Sequence, residues 1–132
     1  MKTLIMAAGL VCVLFVFSSC KKNPDELTEI HQKVGDYLVT VLYSPEEFAK
    51  GSGTLFIEFR SAVENSLIGV ENLSTDAVLQ MQGKSMPGET SVSPADKPGR
   101  YKVKYTFAGK GDWQFNVRFG NGQHAQFLLT IK

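Results

Sequence analysis

The sequence predicts an all-β domain, an antiparallel β-sandwich of about seven strands, and three observations carry that prediction. Between Tyr37 and Ile131 the apolar residues fall in short runs at every second position, the spacing that turns one face of a strand toward a core and the other toward water. The runs are punctuated by glycine, proline, asparagine and serine, as tight connections require. The alternating stretch is roughly 100 residues long, enough for one such domain, and it contains neither an internal repeat nor a second domain.

The first run sets Tyr37, Val39, Val41 and Tyr43 on one face and Leu38, Thr40 and Leu42 on the other. A turn-like stretch from Ser44-Pro45 to Gly51-Ser52-Gly53 leads to a second run, with Leu55, Ile57 and Phe59 inward and Phe56, Glu58 and Arg60 outward. Ser66 to Val70 and Ala77 to Met81 supply two shorter strands on either side of a turn at Glu71 to Asp76. Tyr101, Val103, Tyr105 and Phe107 then alternate with Lys102, Lys104 and Thr106, and Trp113, Phe115, Val117 and Phe119 with Gln114, Asn116 and Arg118. Gly120-Asn121-Gly122 tolerates the positive φ of a tight hairpin and returns the chain into Phe127, Leu129 and Ile131 against Gln126, Leu128 and Thr130. With one polar face per strand, each sheet covers a shared core on one side and meets solvent on the other. Trp113 is expected to dominate that core against Tyr101 or Phe107, because a large aromatic buries about 150–250 Å².

Ahead of the domain, Lys2 supplies a basic start, Leu4 to Phe17 an apolar run, and Phe17-Ser18-Ser19-Cys20 resembles the lipobox of a bacterial lipoprotein. That order is the one expected of a cleaved export signal, and the run falls short of the roughly 20 apolar residues of a membrane-spanning helix. The expected organisation is a signal peptide over residues 1–19, a lipidated Cys20 with a polar tether over 20–33, and the sandwich over 34–132. Leu27, Ile30 and Val34 fall at helical spacing, which allows one or two helical turns within the tether. Acyl chains such as palmitate on Cys20 make the cell envelope the working compartment and the membrane the first partner, because each buried CH₂ contributes about 0.8 kcal/mol. No aspartate follows Cys20 among Lys21 and Lys22, which favours the outer membrane.

Cleavage before Cys20 removes Lys2 and takes the formal net charge from +1 to zero. No basic stripe of the kind that recognises nucleic acid is present in the sequence. Cleavage also removes Cys12, and lipid consumes the Cys20 thiol, which leaves no disulfide framework and no thiolate ligand.

Met81-Gln82-Gly83-Lys84-Ser85-Met86-Pro87-Gly88, read as a methionine and proline loop with a turn at Pro87, then Pro98-Gly99-Arg100-Tyr101, then Phe107 with Gly111-Asp112-Trp113, resembles the YtkA-like domain family, which is related to FixH. The resemblance covers most of Gly35 to Lys132. It implies an immunoglobulin-like sandwich of the bacterial envelope, found alone as a lipoprotein or attached to metal-efflux and oxidase-assembly systems. Many relatives carry a histidine beside the second methionine, and a thioether set with an imidazole suits Cu(I). Here Met86 is followed by Pro87-Gly88-Glu89-Thr90, so the third donor of a copper site would have to be His124.

Other chemistry finds little support. His31 and His124 are the only histidines and form no zinc-type pair. No G-x-S-x-G elbow accompanies a base, the carboxylates are scattered, and the glycines precede no helix that could hold a phosphate. Lys102 and Lys104 alternate outward as a solvated face or as edge protection. The sequence is therefore read as a non-enzymatic, lipid-anchored binding or docking module, accessory to an envelope efflux or assembly complex. The alternative is a carrier of copper(I) or another soft metal using Met81, Met86 and His124.

Overall fold

The structure is a computed structural model and describes residues 27–132. In chain order the elements are β1 (Thr28–Val34), β2 (Tyr37–Tyr43), α1 (Pro45–Phe48), β3 (Ser52–Ser61), β4 (Ser74–Met81), β5 (Lys84–Pro87), β6 (Glu89–Pro94), β7 (Arg100–Thr106), β8 (Gly111–Phe119) and β9 (Gln123–Ile131). They form two antiparallel sheets, β1-β2-β3-β7-β6 and β5-β4-β8-β9. The described residues thus form an all-β sandwich of nine strands rather than about seven. No helix among them is long and apolar enough to cross a membrane.

The inward faces follow the alternation read from the sequence. Val39, Val41, Leu55, Ile57, Phe59, Val103, Phe115, Val117 and Leu129 are all buried in one core. Trp113 is fully buried and stacks on Phe107 with ring centroids 4.6 Å apart, while its indole N–H donates to the Gly109 carbonyl at 3.1 Å. Tyr101 packs elsewhere, edge-on to Phe59. Its hydroxyl accepts from the Val70 N–H at 3.1 Å and lies 3.2 Å from the Val70 carbonyl. At the other end of β7, α1 drops Phe48 onto Tyr105 and Phe107. Ser44 caps that helix, Pro45 fits its first turn, and Glu47 turns back to accept the Thr54 N–H at 2.7 Å.

Four expectations are corrected. The tether expected over 20–33 is strand from Thr28 onward: β1 pairs along β2 from Thr28↔Tyr43 to Val34↔Tyr37, so the folded domain begins before residue 34. The period there is two and not helical, and it is disguised because the inward position between Ile30 and Val34 is the polar Gln32. That side chain accepts the Gln126 N–H of β9 at 2.7 Å and satisfies the edge of the opposite sheet. Ser66 to Val70 is not a strand. It crosses from one sheet to the other, held by a single bridge Arg60↔Leu67 and by Ile68 N–H to the Phe59 carbonyl, and it presses so closely on Gly99 that a Cβ there would meet the Ile68 backbone at 2.8 Å.

The methionine and proline loop is instead the β4–β5 hairpin, turning at Gln82-Gly83. After Pro87 the chain passes Gly88 and continues as β6 in the other sheet, so β5 and β6 form one run that changes sheets. Finally, Thr40 and Leu42, expected on a solvated face, are nearly covered. They lie in the middle of the five-stranded sheet, flanked by His31 and Glu58 and by Glu29 and Phe56 respectively.

The hairpin order sorts the connections to two ends. Thr28, α1, the Gln82-Gly83 turn, the 107–110 turn and Ile131 share one end. The Gly35-Asp36 turn, the 62–73 crossing, the 95–99 loop and the Gly120–Gly122 turn share the other.

Candidate functional site

Of the residues singled out in the sequence, Cys20 lies outside the described residues. Met81 and Met86 face the interior side of the β4–β5 hairpin, since Met86 is opposite the buried Leu79 and Met81 is two residues further along. As diagonal neighbours they stand about 7–8 Å apart at their backbones. His124 is elsewhere. It lies opposite Arg118, which is opposite Ser74 at the far end of β4, about 23 Å along the strand from Met81 at 3.3 Å per residue, and it points to the outer face. The fold therefore pairs the two methionines and does not bring His124 to them. Among the described residues no group of three or more His, Cys, Asp or Glu side chains comes together.

His124 instead belongs to a polar network on the outer face of the four-stranded sheet. Its Nε2 lies 3.2 Å from Asn116 Oδ1, and Asn116 Nδ2 donates to Asp76 at 2.7 Å. Arg118 completes the network with an ion pair to Asp76. Burial raises the Asp76 carboxyl, but the hydrogen bonds from Arg118 and Asn116 and the charge of Arg118 outweigh it and hold the group below the ordinary aspartate value. Each of the four side chains has a partner within the network, which describes a structural patch.

The outer face of the five-stranded sheet is built differently. The register lays His31, Thr40, Glu58 and Arg100 across it in one row, with Glu29, Leu42, Phe56, Lys102 and Ser93 in the next. Glu58 is 8% exposed although it is an acid on a sheet face. Arg60 donates to it at 3.1 Å, and Arg100 Nε lies 3.5 Å from its other oxygen. Burial of a carboxylate is tolerated when it is paired, and here two arginines share it. Arg100 also lies over the Phe56 ring, 4.6 Å from its centroid, while its buried Nε makes no hydrogen bond among the described residues. Next to this pair runs an open groove of about 430 Å³ lined by Phe56, Pro94, Ala95, Asp96, Arg100 and Lys102.

The sequence reading noted Lys102 and Lys104 as outward lysines and missed the rest of this cluster. The signal was present in two strands, with Glu58 between Phe56 and Arg60 outward on one and Arg100, Lys102 and Lys104 on the other. What could not be read was that β3 and β7 are neighbours with Glu58 opposite Arg100.

The described residues thus form a small two-sheet antiparallel sandwich that carries one polar cluster on the outer face of each sheet. The sequence model of the YtkA-like family matches residues 31–118, more than half of the chain, and the protein belongs to that family. Among solved structures it is similar to a DUF4426 family protein from Pseudomonas aeruginosa PAO1, at 14% identity and a TM-score of 0.47, over 76% of this chain and 90% of that one. No curated protein matches it.

Proposed function

We propose that this YtkA-like sandwich is a lipid-anchored docking module of the bacterial envelope, held at the membrane by Cys20 and accessory to an efflux or assembly complex. The observation that carries the reading is the Glu58, Arg60 and Arg100 cluster beside the Phe56 groove. A buried, shared ion pair fixes the side chains that border the groove before any partner arrives, and preorganised groups lose less entropy on binding. The edges at β1, β9 and β5 are poorer candidates. β9 faces β1, with Gln126 N–H taken by Gln32, and β5 is only four residues long and ends in Pro87.

The anchor fits this geometry. Cys20 precedes Thr28 by eight residues, a reach of at most about 28 Å. That keeps the end bearing Thr28 near the membrane and presents the sheet face to its side. A soft-metal carrier now rests on Met81 and Met86 alone, and two neutral thioethers want a third donor.

Two measurements test the reading. Metabolic labelling with a fatty acid, followed by fractionation, is expected to find the wild type labelled and membrane-bound and Cys20→Ala unlabelled and soluble. In living cells, a photo-crosslinking residue at Phe56 is expected to capture an envelope protein that the same residue at Leu128, on the opposite face, does not. Equal capture from both faces, or membrane retention of unlabelled Cys20→Ala, removes the proposal.

A further inference from the structure

The two outer faces of the sandwich differ in sign. On the five-stranded sheet Lys33, Arg60, Arg100, Lys102 and Lys104 stand against Glu29, Glu58 and Glu89. On the four-stranded sheet Asp76 and Asp112 stand against Arg118. The chain as a whole is close to neutral, so the positive surplus belongs to this face and not to composition. Lys33, Lys102 and Lys104 enter no ion pair among the described residues, whereas both arginines and Glu58 are engaged with one another. The free cations therefore flank a fixed centre, and two of them, Lys102 and Lys104, lie along the strand that borders the groove.

From this arrangement we infer that the groove beside Phe56 takes an acidic protein segment, whose carboxylates meet Lys102 and Lys104 while an apolar side chain lies on Phe56 and Pro94. The inference deepens the docking proposal and depends on it for its setting in the cell. Two features favour a polypeptide over a plane of lipid headgroups. Lys102 borders an open groove whose apolar wall is Phe56 and Pro94, a surface suited to a side chain, and the acids beside it, Glu58 and Asp96, are already taken up by Arg100. Ser91 and Ser93 on β6, opposite Lys104 and Lys102, line up hydroxyls along the same direction, as an extended segment uses them. Complementary charge of this kind mainly speeds encounter and selects the partner, and it weakens with salt.

The test uses the full chain carrying Cys20→Ala, so that lipid makes no contribution. The probes are a fluorescent ten-residue peptide of aspartate and glutamate around one phenylalanine, its asparagine and glutamine counterpart, and phosphatidylglycerol vesicles. The acidic peptide is expected to bind at least about fivefold more tightly than the amide peptide and to lose that margin at about 0.5 M salt. Lys102→Glu with Lys104→Glu should weaken it about tenfold, the exposed Lys104→Glu alone should weaken it less, and Leu128→Glu on the opposite face should leave it unchanged. Equal affinity for the two peptides overturns the inference, as does equal loss from Leu128→Glu. Vesicle binding that depends on Lys102 and Lys104 without peptide binding overturns it in favour of lipid. Crosslinking from Phe56 in cells with no acidic preference in solution would reject the acidic partner and leave docking standing. Acidic preference with no crosslinking would do the reverse.

Discussion

A Cβ placed on Gly88 would lie 2.9 Å from Cζ3 of Trp113, and 2.7 Å from the ring of Phe107 stacked against it. Gly88 is the point at which the β5–β6 run leaves one sheet for the other, and its N–H donates to the Ala77 carbonyl at 2.8 Å. The strand can change sheets only because no side chain stands between its backbone and that aromatic stack. Gly88→Ala is therefore expected to destabilise the domain by about 1–3 kcal/mol through overpacking. Chemical denaturation of the two proteins checks it, and an unchanged midpoint would show that the stack yields freely.

Tyr105 predicts the opposite sign. Its hydroxyl is buried without a hydrogen-bond partner among the described residues, and burial, with the nearby Glu47 charge, pushes its ionisation well above the ordinary phenol value. Removing an unsatisfied polar atom removes its desolvation penalty. Tyr105→Phe should melt at the same temperature as the wild type or a few degrees higher, and a clear loss of stability would reveal a partner for the hydroxyl.

Asp76 gives the pH dependence a definite direction. Its carboxyl titrates lower folded than unfolded, so its contribution is fully present above the unfolded value of about 3.9 and is lost as the pH falls through the lowered folded value. Asp76→Asn should lower the melting temperature at pH 7, by at most about 5 °C for a half-exposed ion pair. The difference should close near pH 2. A gap that persists at low pH would assign the effect to packing.

For Cu(I), competition against a chromogenic chelator should not distinguish His124→Ala from the wild type, because His124 and the methionines occupy opposite ends and faces of the sheet. Any stoichiometric binding should respond only to Met81→Leu and Met86→Leu. Loss of binding in His124→Ala would require a different arrangement of the strands.

The strands that declared themselves in the sequence are those with one uninterrupted apolar face, β2, β3, β7, β8 and β9, where burial includes every second residue from Leu55 to Phe59 and from Trp113 to Phe119. β1 was hidden because Gln32 occupies an inward position for its hydrogen bond rather than for burial. β5 and β6 were hidden because Pro87 and Gly88, which read as a turn, mark a change of sheet. The Glu58 cluster was half legible: each strand showed its charges, but a contact between residues 58 and 100 depends on which strands pair. Local periodicity does not carry that information, and the methionine and histidine set failed for the same reason.

The Gln32 to Gln126 hydrogen bond joins residues 94 positions apart, and it ties the first strand of the domain to the last. A chain made from its N-terminus releases β1 first, yet the strand edge that β1 shields does not exist until β9 has followed. Contacts of such long range form slowly, and an uncovered edge invites pairing with another chain. The domain therefore becomes safe from its neighbours only when its final strand arrives, which makes the interval between the emergence of β1 and the docking of β9 the time at which a chaperone has most to offer it.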